Sequence, residues 1–212
     1  MKKLVVVLAG LAILAGCSSQ GPSQSSEQKT QSAAPAAPPA PELLSGRVAF
    51  QKLYVAAHGW AGDAKPYRLE SQPNKESNGH DGKSGVWRGF FASAMRRGIK
   101  PYIWSGIKAD DAPDLGVSPG TEDTYNPSNT TTQVFDIGFL KTDSDKAFEA
   151  AQKHGGEKIL AKNADLPVFY VLDWQPRSNE LIWHVIYGAD MESAKLKISV
   201  DASTGDFLRV EK

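Results

Sequence analysis

The chain has 212 residues, 24 basic against 24 acidic, with 41% hydrophobic residues and a single cysteine. The charge balance excludes a broad basic face for nucleic acid, and one cysteine excludes an internal disulfide. The length is that of one or two domains, which must hold together through an ordinary apolar core.

Lys2 and Lys3 precede an uncharged apolar run from Leu4 to Ala15. The run has the length of a signal-peptide core and is too short for a comfortable membrane span. It ends in Leu14-Ala15-Gly16-Cys17, which resembles the lipobox of bacterial lipoproteins. The resemblance implies cleavage before Cys17, acylation of Cys17 and attachment to a membrane. Residues 1–16 are then the leader. Ser18 stands where an Asp would favour the inner membrane, so in a Gram-negative host the outer membrane, facing the periplasm, is implied. An ordinary secretory leader with an incidental cysteine is the competing reading.

Residues 17–41 are read as a tether. Their Ser, Gln, Ala and Pro content buries too little apolar surface to offset the entropy of ordering, and Ala33 to Pro41 favours extended backbone. The expected folded part begins at Glu42. Without Lys2 and Lys3 its charge stays close to neutral.

The first unit, 42–140, opens with Ser45 as a candidate helix cap and Val48, Phe50, Leu53, Tyr54 and Ala57 at helical spacing. Gly59 and Gly62 are expected to stop the helix. Strands are predicted at Tyr67–Leu69, Val86–Ala92, Ile99–Trp104 and Val134–Leu140, with Gly98 in a turn. Ser71 to Gly85 reads as a long loop. Ser105 to Thr132, rich in Asp, Gly and Pro, reads as an insertion of irregular backbone.

The second unit, 141–212, starts with Asp143-Ser144-Asp145 as capping candidates for a helix through Ala147, Phe148 and Ala151, which Gly155-Gly156 bends. Val168–Leu172 is a continuous apolar run suited to a central strand. Leu181–Tyr187, Lys195–Asp201 and Phe207–Val210 complete four antiparallel strands.

The two units echo each other. Trp87 and Trp183, Met95 and Met191, and His58 and His154 all stand 96 positions apart (183 − 87). Self-similarity at a fixed period predicts a tandem α+β repeat, each half a helix on about four antiparallel strands. The helix Asp145 to His154, the Trp183 strand and the closing run Ile198-Ser199-Val200-Asp201-Ala202-Ser203-Thr204-Gly205-Asp206 resemble PepSY-like domains of secreted and membrane-anchored bacterial proteins. What that resemblance implies is non-catalytic: binding or restraining a protein or peptide partner in the cell envelope.

No His-x-x-x-His pair is present and the only cysteine is assigned to the lipid, so no catalytic residue, metal or cofactor is expected. His58 and His154 suit helix ends. His184 is expected on the solvated side of its strand. Asp110, Asp111 and Asp114 offer carboxylates to calcium, but not with EF-hand spacing. Trp87 and Trp183 are expected in the core. Trp60 and Trp174, near loop edges, and Asn78, His80 and Asp81, in the Ser71–Gly85 loop, are the candidate partner-binding residues. A cell-wall hydrolase using His80 and Asp81, and a structural lipoprotein of envelope assembly, are the alternatives.

Overall fold

The computed structural model describes residues 40–108 and 112–211. The leader, Cys17, nearly all of the tether, Asp110 and Asp111 lie outside the described residues. The chain runs β1 (Leu44–Ser45), α1 (Gly46–Trp60), β2 (Lys65–Ser71), β3 (Lys83–Ser84), β4 (Val86–Ser93), β5 (Gly98–Ser105), β6 (Gly116–Pro119) and β7 (Asp123–Thr124). After a 3-10 turn at Ile137–Phe139 come α2 (Ser144–Ala151), a kinked link (Gln152–Gly156) with non-helical backbone at His154 and Gly155, α3 (Glu157–Lys162), β8 (Val168–Gln175), β9 (Glu180–Tyr187), β10 (Leu196–Asp201) and β11 (Phe207–Val210).

The protein is α+β, built on a nine-stranded sheet. Eight strands follow the order β11-β10-β9-β8-β2-β4-β5-β6, and β7 pairs with the far end of β5. Each of these pairings is antiparallel. The apolar run of β8 takes the central, buried place its composition predicts, with Val168 to Leu172 all buried. Helices cover one face: α1 lies over β2, β4 and β5, and α2 over β9 and β10. The buried stripe of α1 is Ala49, Phe50, Leu53 and Ala57, the spacing of one helical face.

The two helix starts meet. Ser45 occupies the N-cap of α1, but its hydroxyl donates to Asp143 Oδ2 at 2.7 Å. Asp143, the N-cap of α2, accepts at Oδ1 from the Arg47 amide of α1 (2.8 Å) and from the Ser144 amide (2.7 Å). One carboxylate thus caps two helices, where the positive ends of both dipoles point. Buried Ser144 Oγ accepts from the Gly46 amide at 2.7 Å and donates to the Gly82 carbonyl at 2.6 Å.

Trp87 and Trp183 are core residues, as expected, and their rings meet edge to face at 6.3 Å. Each indole N–H donates to the carbonyl just before a helix cap, Trp87 to Leu44 (2.8 Å) and Trp183 to Thr142 (2.9 Å). The hairpins carrying them share a register: Trp87 faces Trp104 and Gly89 faces Tyr102, while Trp183 faces Val200 and Val185 faces Ile198. Gly46 is small because these rings lie beneath it. A Cβ there would stand 2.5 Å from Cη2 of Trp183 and 3.1 Å from that of Trp87. Gly46→Ala is therefore expected to destabilise by about 1–3 kcal/mol through overpacking, read by urea unfolding, despite alanine's better helix propensity. A neutral or stabilising result would show that the indoles yield.

Five expectations need correction. Val134–Leu140 is not a strand: Phe135 and Leu140 are buried beside the core, Phe135 stacking on Phe50 at 6.5 Å, and the segment turns through a 3-10 helix. The strand beside β5 comes instead from the insertion read as irregular, since β6 pairs with β5 from Tyr102↔Pro119 to Ser105↔Gly116. Gly98 begins β5 rather than turning, and Gly59 lies inside α1, which runs to Trp60. The Ser71–Gly85 loop carries β3, which pairs with β1.

Candidate functional site

The sheet face away from the helices carries the most developed chemistry. Alternation along the strands places His184 and Val171 there opposite each other, with Ser199 across from His184 on β10 and Glu70 across from Val171 on β2. Arg88 follows on β4, facing Glu70, and Ile103 on β5, facing Arg88.

A chain of charges crosses this face. Arg68 Nε donates to Glu70 Oε2 at 2.8 Å, and its Nη1 lies 3.4 Å from Asp173 Oδ2. His184 Nε2 lies 3.2 Å from Asp173 Oδ1, and its Nδ1 bonds to Glu211 Oε1, which also accepts from the Ser199 hydroxyl. Burial alone would lower the His184 pKa, but the hydrogen bonds and charges of Asp173 and Glu211 outweigh it and hold the imidazolium to about 9. Burial would likewise raise Glu211. The bonds from His184 and Ser199 and the charges of His184 and Arg209 instead bring it down to about 2. Asp173 is lowered too, its desolvation overcome by the His184 and Gln175 bonds and the Arg68 charge. His184 is thus a buried, doubly bonded cation, not the solvated side chain expected from the sequence.

Two clefts meet at Arg68. One, of about 360 Å³, is lined by Tyr67, Thr130, Thr131, Asp173, Trp174 and Gln175; the other, of about 280 Å³, by Glu70, Gln72, Phe169, Val171 and Met191. Tyr67 packs on Phe90 at 5.7 Å, and burial pushes its phenol up although Arg88 and Arg68 oppose it. Arg88 lies with its Cζ 4.9 Å from the Phe90 ring centre.

The five partner-binding candidates do not form one site. Trp174 stands at the rim of the first cleft, packed edge-on against Phe139 at 5.1 Å. Trp60 ends α1, donating to Glu122 Oε2 at 2.8 Å under the Arg96 guanidinium. Asn78, His80 and Asp81 share a separate cleft of about 470 Å³ at the other end of the sheet, where the Asn78 carbonyl accepts from Val168. There His80 Nε2 bonds to the Leu166 carbonyl at 2.7 Å, and Asp81 Oδ1 accepts from the Lys83 amide. His58 Nδ1 bonds to the Tyr54 carbonyl at 3.1 Å, the helix-end role expected, whereas His154 stacks on Phe207 at 3.8 Å. Among the described residues no group of three or more His, Cys, Asp or Glu side chains could hold a metal ion.

Sequence reasoning missed Arg68, Arg88, Asp173, His184 and Glu211. One signal was available: Leu181-Ile182-Trp183-His184-Val185-Ile186-Tyr187 is apolar on both alternating faces, so its histidine is buried whichever way it points. The pairing of Glu211 with His184 across 27 positions leaves no local trace. The chain matches no protein-family model, no curated protein and no solved structure.

Proposed function

We propose that this chain is a lipid-anchored module of the bacterial cell envelope that binds a protein or peptide partner and does no chemistry on it. Cys17 is the acylation point, and residues 17–41 are the spacer that holds the folded part clear of the bilayer. In a Gram-negative host the module faces the periplasm from the outer membrane. The observation that carries the binding reading is the helix-free sheet face, where two clefts join at Arg68, one of them lined by half-buried Tyr67 and the rim residue Trp174. Aromatic and arginine side chains around a partly desolvated hollow are the usual anchors of protein recognition. His58, His80 and His184 each bond to groups of the fold, and His154 stacks on Phe207, which supports binding over hydrolysis.

The same reading takes the two halves as tandem PepSY-like repeats. Its support is the common hairpin register at an offset of 96 and the matching indole bonds to the helix starts. The edge strand of the first half comes from the insertion, a departure from the second half's closing hairpin.

Crosslinking and capture from intact envelopes tests the function, comparing wild type, Cys17→Ala, Arg68→Glu and His80→Ala. One dominant protein partner, lost with Arg68→Glu and with Cys17→Ala and kept with His80→Ala, is expected. Retention of glycan fragments in place of a protein, or an enzymatic activity abolished by His80→Ala, would overturn the reading.

A further inference from the structure

Arg88 sits in the middle of the helix-free face on β4, a strand paired on both sides. Its Nε is shut off from solvent and bonds to no acceptor among the described residues. Glu70, directly across the ladder, turns its carboxylate to Arg68 instead. Phe90 lies beneath the guanidinium, with Tyr67 against Phe90 and Ile103 on the next strand. A buried Nε without an acceptor is an uncompensated cost to the folded state, since buried polar groups are normally paired. Its planar fork matches a carboxylate, which it can grip through two parallel bonds in a partly desolvated setting.

We propose that Arg88 receives a carboxylate side chain of an extended acidic peptide segment lying across the helix-free face. This rests on the binding-module reading above and names the chemistry of its partner. Charge complementarity selects the occupant: Arg88 has no carboxylate partner among the described residues, while Arg68, Asp173, His184 and Glu211 already satisfy one another. Glu70 beside Arg88 favours a single negative charge over the double charge of a phosphate. The segment reaches Arg88 through side chains, because both edges of β4 are already paired. Apolar side chains flanking the carboxylate would rest on Phe90 and Ile103.

The test titrates the full chain, purified in detergent, with a short blocked peptide of alternating Val and Glu and with its Val/Gln counterpart. Calorimetry on wild type is expected to show the Glu peptide binding about ten-fold more tightly or better, as a charge-assisted pair requires. Arg88→Met should bring the two peptides to parity, with Arg88→Lys in between because it keeps the charge and loses the fork. Arg88→Met should also melt no lower than wild type, since it removes an unpaired polar group; a purely structural arginine would give a lower melting point. Equal binding of both peptides to wild type, a preference that survives in Arg88→Met, or a clear loss of stability in that variant would overturn the assignment. In the envelope capture, a partner lost with Arg68→Glu and kept with Arg88→Met would overturn the Arg88 role and leave the binding module standing. No partner for wild type would overturn the module, while the peptide preference still decides the case of Arg88.

Discussion

Asp143→Ala is expected to lower stability by about 2–4 kcal/mol, because it uncaps two helices at once and single caps contribute about 0.5–2 kcal/mol each. The carboxylate accepts from the Arg47 and Ser144 amides and from the Ser45 hydroxyl, and alanine satisfies none of them. For a chain of this size the melting point should fall by about 2–4 °C per kcal/mol. Asp143→Asn keeps an acceptor for the two amides and should cost clearly less, about 1 kcal/mol, mostly through Ser45 and the helix dipoles. A calorimetric melt of both variants checks the ranking. An alanine variant within about 0.5 kcal/mol of wild type would show that water replaces the carboxylate at both helix starts.

The second large effect is expected at His184, whose imidazolium joins two carboxylates in the closed part of the sheet. His184→Leu leaves Asp173 and Glu211 without their shared cation, and breaking such a buried arrangement from one side costs about 3–5 kcal/mol. The pH dependence identifies the cause. The His184 pKa is raised in the folded state from 6.5 to about 9, so its contribution is complete below about 6.5 and is lost as pH rises through about 9. Glu211 is lowered from 4.5 to about 2, so its contribution is complete above about 4.5 and is lost as pH falls through about 2. Wild type should therefore be most stable between about 4.5 and 6.5 as far as this cluster governs it. The variant should lose the decline between 6.5 and 9. Urea unfolding at a series of pH values measures both, and an unchanged slope in His184→Leu would place the pH dependence elsewhere.

The elements that the sequence disclosed are those whose signals are local. The helix stripe of α1, the capping run at Asp143, the apolar stretch of β8 and the hairpin of β9 and β10 each carry their own periodicity or cap. Strand β6 was hidden because Gly116-Val117-Ser118-Pro119 is too short and too poor in apolar alternation to announce a strand; its partner strand, not its composition, makes it one. Val134–Leu140 misled in the opposite way, since apolar residues that bury themselves between layers look like a strand in one dimension. The candidate site was the least legible part. Arg68 and Asp173 meet across 105 positions, and neither has a neighbour in sequence that hints at the other.

That same separation governs how the chain must assemble. The seam between β2 and β8 is three register pairs, Arg68↔Asp173 to Glu70↔Val171, and it lies at the centre of the sheet. On either side of it, β4 with β5 and β8 with β9 are hairpins with four-residue turns that can zip without long loop closure. The central strands of the finished sheet are therefore the last to find each other. Folding speed should be set by how long two preformed hairpin layers take to meet, so mutations in the hairpins should mainly slow folding, while those at the seam should divide between slower folding and faster unfolding.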